Sequence, residues 1–192
     1  IYIDGEWVAG EGGQIDSVAP ATGEVLAAVG MAGPGDVARA AESAAAAQKE
    51  WAAMPHPARA AVLRKAGMLW EQYADEIGGW NVREVGAIPP LAGFALHVTA
   101  AECYEASALP SAPKGAVLSS EEPRLSMTEQ VPVGVVGVIS PFNVPLILGI
   151  RAVAPALALG NAVLLKPDPR TVITGGVSFV RVFEEAGLPK GL

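Results

Sequence analysis

The chain has 192 residues, of which 51% are hydrophobic and 17% charged, and its 13 basic and 20 acidic side chains leave a net charge of −7. That balance argues against nucleic acid or an anionic membrane as the main partner, because both need a basic face. Cys103 is the single cysteine, which excludes a disulfide framework and a cysteine-based zinc site. The length suits one large domain, or one domain with a small appendage, at ~100–200 residues per domain. The charged share lies below the ~25% usual for soluble domains, so more apolar surface is present than a free-standing domain carries.

Residues 1–3 and 6–8 read as short strands around Asp4-Gly5, a two-residue turn that favours positive φ. The Gly10-Glu11-Gly12-Gly13 cluster reads as a turn, and Ala21-Thr22-Gly23 as another before a strand at 25–29. From Pro34 the pattern becomes helical, with Asp36 in a first turn where its charge suits the helix dipole, and the alanine-rich helix runs to about residue 53. Pro57 suits the first turn of the next helix. Val62, Ala66, Leu69, Tyr73, Ile77 and Trp80 recur at steps of three and four as one apolar stripe. Arg59, Arg64, Lys65, Glu71 and Asp75 are expected to face away from it, and Gly78-Gly79 is a candidate break. A further helix is expected over 90–107 and is interrupted by the prolines at 110 and 113. Residues 116–119 and 124–131 then look extended: Leu125 and Met127 alternate with Ser126 and Thr128. A ribbon between two such blocks is placed to project and pair elsewhere.

Residues 131–150 carry no charge over a length near that of a membrane span. Pro132, Pro141, Pro145, three glycines, Ser140 and Asn143 break the run, and a lipid-facing helix so broken leaves backbone groups unpaired. No basic segment followed by an apolar stretch opens the chain, so the expectation is no signal peptide and a cytoplasmic location.

The last third reads as a strand at 135–139, a loop at 140–144, a helix at 145–159 stopped by Gly160-Asn161, a second strand at 162–165 ending on Lys166-Pro167, and a helix at 172–186 stopped by Gly187. This is a βαβ unit, expected to cross over right-handed. Ligands of open parallel sheets bind beyond the carboxyl ends of the strands, which points to residues 140–144 and 166–171. Asn143 offers an amide on a loop stiffened by prolines, and Lys166 offers an ammonium at a strand end. The plainer alternative is that Asn143 caps the following helix and Lys166 is a solvated edge charge. No Gly-x-Gly-x-x-Gly follows the first strand, so the usual dinucleotide fingerprint is absent.

The stretch Val133-Gly134-Val135-Val136-Gly137-Val138-Ile139-Ser140-Pro141-Phe142-Asn143-Val144-Pro145 resembles the strand and loop of the aldehyde dehydrogenase superfamily. So does Ala154-Pro155-Ala156-Leu157-Ala158-Leu159-Gly160-Asn161-Ala162-Val163-Leu164-Leu165-Lys166-Pro167. Tyr2-Ile3-Asp4-Gly5-Glu6-Trp7, Arg59 with Leu63, Arg83-Glu84-Val85-Gly86 and Phe183-Glu184-Glu185-Ala186-Gly187-Leu188-Pro189 fit the same family in order. Pro123-Arg124-Leu125-Ser126-Met127 and Lys166-Pro167-Asp168-Pro169-Arg170-Thr171 look most like benzaldehyde dehydrogenases.

The resemblance implies an α/β fold: the N-terminal part of an aldehyde dehydrogenase, with a Rossmann-like parallel sheet, flanking helices and a projecting β oligomerisation arm. It divides the chain into residues 1–112 and 133–192, both from the cofactor-binding domain, and the arm at 113–132, with the catalytic domain absent. It implies NAD or NADP as cofactor, a small-molecule aldehyde (an aromatic one) as substrate, neither nucleic acid nor membrane as partner, and a homodimer or homotetramer. Asn143 matches the asparagine that stabilises the oxyanion of the thiohemiacetal. Lys166 matches the lysine that hydrogen-bonds the adenosine ribose, and Ile139, Ser140, Pro141 and Phe142 match the stretch lining the nicotinamide side. Pro169 stands where many members place a glutamate that favours NAD; without that carboxylate, repulsion of a 2′-phosphate is removed. Phe142 stands where many carry tryptophan.

The family's cysteine nucleophile and glutamate base fall in segments after residue 192, so this chain is expected to be inactive alone. Cys103 lies in a predicted helix beside Glu102, where a structural role is expected. His56, His97, Glu84 and Glu102 are expected on caps and solvated helix faces. A non-catalytic cofactor-binding or oligomerisation module, and a coenzyme A-acylating member of the superfamily, are the alternatives.

Overall fold

Asp4 and Gly5 take φ of 53° and 77°, and the turn they make pairs β1 (Tyr2–Ile3) with β2 (Glu6–Trp7), Tyr2 opposite Trp7. The computed structural model describes residues 1–192. A second antiparallel pair, β3 (Gln14–Val18) and β4 (Val25–Gly30), closes on a turn ending at Gly23, with a register shift between Ser17 and Val18. Asp36 then fastens α1 (Pro34–Ala53): its Oδ2 accepts from the N–H groups of Gly33 and Glu11, each at 2.8 Å. Those hydrogen bonds to the charged form hold its carboxyl below the usual range.

Helices α2 (His56–Gln72) and α3 (Ala74–Trp80) replace the single long helix that the apolar stripe suggests. The break falls at Tyr73 and not at Gly78-Gly79, which lie inside α3. Contacts with a distant helix decide it: Tyr73 donates to Glu185 at 2.7 Å, and Arg181 lies 4.2 Å from its ring centre. A π-helical turn, Asn81–Val85, leads to Gly86 at φ 77° and then to α4 (Pro89–Ala108).

The ribbon is shorter than its alternation implies. Only β5 (Val117–Leu118) and β6 (Ser126–Met127) pair, antiparallel. Val117, Leu125 and Met127 are 71%, 75% and 65% exposed, because a two-stranded ribbon has no layer of this chain to lie against. The parallel pair of β7 (Val135–Ile139) and β8 (Ala162–Lys166) is joined by α5 (Pro145–Ala158). Fully buried is the expectation for β7; the structure buries only Val138 and leaves Ile139 80% exposed, since α5 and α1 cover part of the pair. A π-helical segment, Ile173–Val177, opens the last helix before α6 (Ser178–Ala186).

The core lies where α2, α4, α5 and α6 meet. Leu63, Trp70, Cys103, Leu146, Ile150 and Val182 are inaccessible to solvent there, and Trp70 meets Phe179 edge-on with centroids 5.2 Å apart. Each such side chain contributes roughly 1.5–3 kcal/mol by leaving water. This packing fixes α5, and α5 sets the two strands whose ends carry the site.

Candidate functional site

Parallel pairing sets Ile139 opposite Lys166 at the carboxyl ends of β7 and β8. The ladder continues one step further, where Ser140 N–H donates to the Lys166 carbonyl at 3.0 Å. Ser140 is itself buried, and its Oγ donates to the Pro145 carbonyl at 3.4 Å. Both strand ends and the start of α5 are thereby fastened together through one residue. Of the loop residues singled out in the sequence, Ser140 is turned inward, whereas Ile139, Pro141, Phe142 and Asn143 are exposed. Val144, not Asn143, is the N-cap of α5, and no side chain caps that helix. The Asn143 carboxamide is therefore presented at the strand ends and not spent on the helix.

Lys166 is exposed, with Nζ 3.4 Å from the Pro167 carbonyl. Asp168 follows as the N-cap of the turn Pro169–Thr171, accepting from the Arg170 N–H at 3.0 Å. The Arg170 guanidinium returns to the same carboxylate: Nε and Nη2 donate to its two oxygens at 2.8 and 2.9 Å. Arg170 beside Asp168 holds that carboxyl down at about 2. Arg170 also lies over the Phe142 ring, 3.6 Å from its centre, and so joins the two loops. Pro169 sits within that turn, half-buried.

Sequence reasoning missed this bridge. Asp168 before Pro169 is a legible helix-start signal, but the ring beneath Arg170 comes from the other loop. It also misplaced Glu84, which is 2% exposed and not on a solvated face. The Glu84 carboxylate accepts from Ser17 Oγ at 2.8 Å and from the N–H groups of Ile173 and Thr174 at 2.9 and 2.7 Å. It thus satisfies orphan donors at the start of the last helix and anchors the segment after the Lys166 loop. Arg59 is another correction. Expected to face away from the core, it is 4% exposed and donates to the carbonyls of Ala158, Trp51, Ala52 and Met54 at the ends of α5 and α1. Four main-chain carbonyls make burial of the guanidinium tolerable.

Cys103 is inaccessible, and burial pushes its thiol up to about 12, which suits packing and not nucleophilic attack. His56, at the first position of α2, and His97, on α4, are both exposed. Glu102 pairs with Arg151 at 3.2 Å.

The aldehyde dehydrogenase family profile matches residues 7–192. The chain belongs to the aldehyde dehydrogenase family. It is 61% identical over 188 residues to a vanillin dehydrogenase of Amycolatopsis sp., covering 98% of this chain and 39% of that protein. It is 46% identical over 187 residues to a benzaldehyde dehydrogenase [NAD(+)] of Pseudomonas putida, covering 97% of this chain and 38% of that one. The crystal structure of an NAD-dependent benzaldehyde dehydrogenase from Corynebacterium glutamicum superposes with a TM-score of 0.95 at 40% identity, over 98% of this chain and 42% of that chain. The fold is thus that of the N-terminal part of an aldehyde dehydrogenase, and the chain spans about two fifths of the length of these relatives. No helix is long and apolar enough to cross a membrane.

Proposed function

We propose that this chain is the N-terminal segment of an NAD(P)-dependent aldehyde dehydrogenase that oxidises aromatic aldehydes to carboxylic acids. In this reading residues 1–112 and 133–192 build part of the cofactor-binding domain, and residues 113–132 form an arm that holds a homodimer or homotetramer together in the cytoplasm. The observation that carries the reading is the strand-end pair: exposed Ile139 lies opposite exposed Lys166, with the Asn143 loop following directly. An apolar surface beside an ammonium fits a flat ring together with hydroxyl or phosphate groups, as a nicotinamide dinucleotide presents. The names of the similar proteins, vanillin and benzaldehyde dehydrogenases, support the aromatic substrate class.

When bound, the cofactor supplies the hydride acceptor. Lys166 would hold the adenosine ribose through its ammonium, and Ile139, Pro141 and Phe142 would line the nicotinamide side, with buried Ser140 holding their backbone in place. Asn143 would donate its carboxamide N–H to the aldehyde oxygen as a thiolate from beyond residue 192 adds to the carbonyl carbon. A donor placed where negative charge develops contributes roughly 2.7–4 kcal/mol to the transition state. Asp168 is paired with Arg170 and Pro169 carries no charge, so this turn would offer a 2′-phosphate no unpaired carboxylate.

Two assays test the reading. The full-length protein is expected to turn over benzaldehyde or vanillin in preference to short aliphatic aldehydes with NAD or NADP. The isolated 192-residue chain is expected to produce no NAD(P)H. Turnover confined to aliphatic aldehydes, or aldehyde-dependent NAD(P)H from the isolated chain, would contradict it.

A further inference from the structure

Arg170 is held from two directions by groups on different loops. Asp168, two residues before it, takes the guanidinium edge in a two-pronged hydrogen bond at 2.8 and 2.9 Å, and the same carboxylate accepts the Arg170 N–H at 3.0 Å. The fork is therefore fixed to the backbone from which it springs. Its face rests on Phe142, 3.6 Å from ring centre to Cζ. Phe142 immediately precedes Asn143 in a loop that α5 does not restrain by any side-chain cap. The loop is tied at its start by Ser140 and at its end by the buried Pro145. Between these ties, the stack of Phe142 on Arg170 links it to the turn after β8.

We propose that Arg170, braced by Asp168, is a positioning residue that holds Phe142 and, through it, the neighbouring Asn143 carboxamide. The inference rests on Asn143 being the oxyanion donor. Two-pronged arginine–carboxylate pairs fix a plane as well as a distance, and a guanidinium stacked on an aromatic face fixes the ring beneath it. Partly exposed contacts of this kind contribute little to stability, so their effect falls on geometry. Oxyanion stabilisation is sensitive to that geometry, because the donor must be in place before charge develops.

The test is a set of full-length variants assayed for kcat/KM with benzaldehyde, in wild-type and Asn143→Ala backgrounds. In the wild-type background Arg170→Gln and Phe142→Leu are each expected to lower kcat/KM by ~10–100-fold. Phe142→Trp, which keeps a ring under the guanidinium, should lose less than Phe142→Leu. In the Asn143→Ala background Arg170→Gln should change kcat/KM by less than about 2-fold, because residues acting as one unit are non-additive. Hydrogen–deuterium exchange should also rise across residues 141–144 in Phe142→Leu and Arg170→Gln. Equal losses for Arg170→Gln in both backgrounds, its kcat/KM unchanged in the wild-type background, or unchanged exchange would overturn the proposal. If Asn143→Ala alone leaves kcat/KM unaltered, the oxyanion reading fails and this inference with it. If Asn143→Ala is impaired but Arg170→Gln is not, only the positioning role fails.

Discussion

Arg59 spends a buried cation on the carboxyl ends of two helices. Nε donates to Ala158 at 3.2 Å, and Nη1 to Trp51 and Ala52 at 3.4 and 3.3 Å and also to Met54. The last carbonyls of a helix lack intrahelical donors and carry the negative end of its dipole, so one guanidinium satisfies several at once. Burial lowers the pKa of Arg59 from its ordinary value, yet an arginine stays charged at neutral pH. Arg59→Met should destabilise the fold by about 2–4 kcal/mol, since the buried Ala158 carbonyl and the part-buried carbonyls of Ala52 and Met54 lose the guanidinium donor. Arg59→Lys should recover part of the loss, because an ammonium cannot span the same set of acceptors. Urea denaturation of the three proteins checks the ranking, and equal midpoints would contradict it. Glu84 plays the matching part at a helix start, donors and acceptor reversed. Neither role was legible in sequence. A charged residue on a helical stripe signals solvent, and the partners of Glu84 lie 67 to 90 positions away.

Elements whose signals are local could be read with little error. The strand at 135–139 is found at those residues, and the helix expected over 145–159 spans Pro145–Ala158. Its stop was equally plain. Gly160 takes φ 90°, its N–H donates to Leu157, and that of Asn161 donates to Ala156 at 3.0 Å, closing the helix by a Schellman motif. Asn161 adds a tertiary bond that the sequence does not show, its Oδ1 accepting from Gly134 N–H at 3.1 Å, while its Nδ2 donates locally to Ala156 at 3.0 Å. Gly160→Ala should cost about 1–3 kcal/mol. An alanine at that φ is strained, and its Cβ would stand 3.1 Å from Pro132 and 3.3 Å from the Ala52 backbone. A thermal melt unchanged from wild type would show that the backbone relaxes freely. Where packing decides the outcome, sequence reading failed: the helix break moved to Tyr73, held by α6. The alternation in the ribbon described strands with no face to bury. At the site itself, the placement of Lys166 at a strand end and of Asn143 just beyond the other followed from local order, whereas the Arg170–Phe142 bridge required two loops to meet.

At the scale of the whole molecule, the high apolar content has a visible counterpart. Ile139, Val133, Leu125 and Val117 are 80%, 83%, 75% and 71% exposed, at the edge of the parallel pair, on the chain leading into it and on the ribbon. Exposed apolar residues grouped in this way mark surfaces that other protein covers. Under the function proposed here, the strand ends face the remainder of an aldehyde dehydrogenase and the ribbon faces another subunit. The residues of this chain then hold one half of a reaction site: an exposed amide, an exposed ammonium and a braced loop, without a nucleophile, since Cys103 is sealed in the core. The most direct measurement of that claim is kcat/KM for benzaldehyde in full-length Asn143→Ala, alongside cofactor affinity from a fluorescence titration. The expected result is a fall of ~10²–10³-fold in kcat/KM with cofactor affinity unchanged. A variant with wild-type kcat/KM would contradict the assignment of the oxyanion site to this loop.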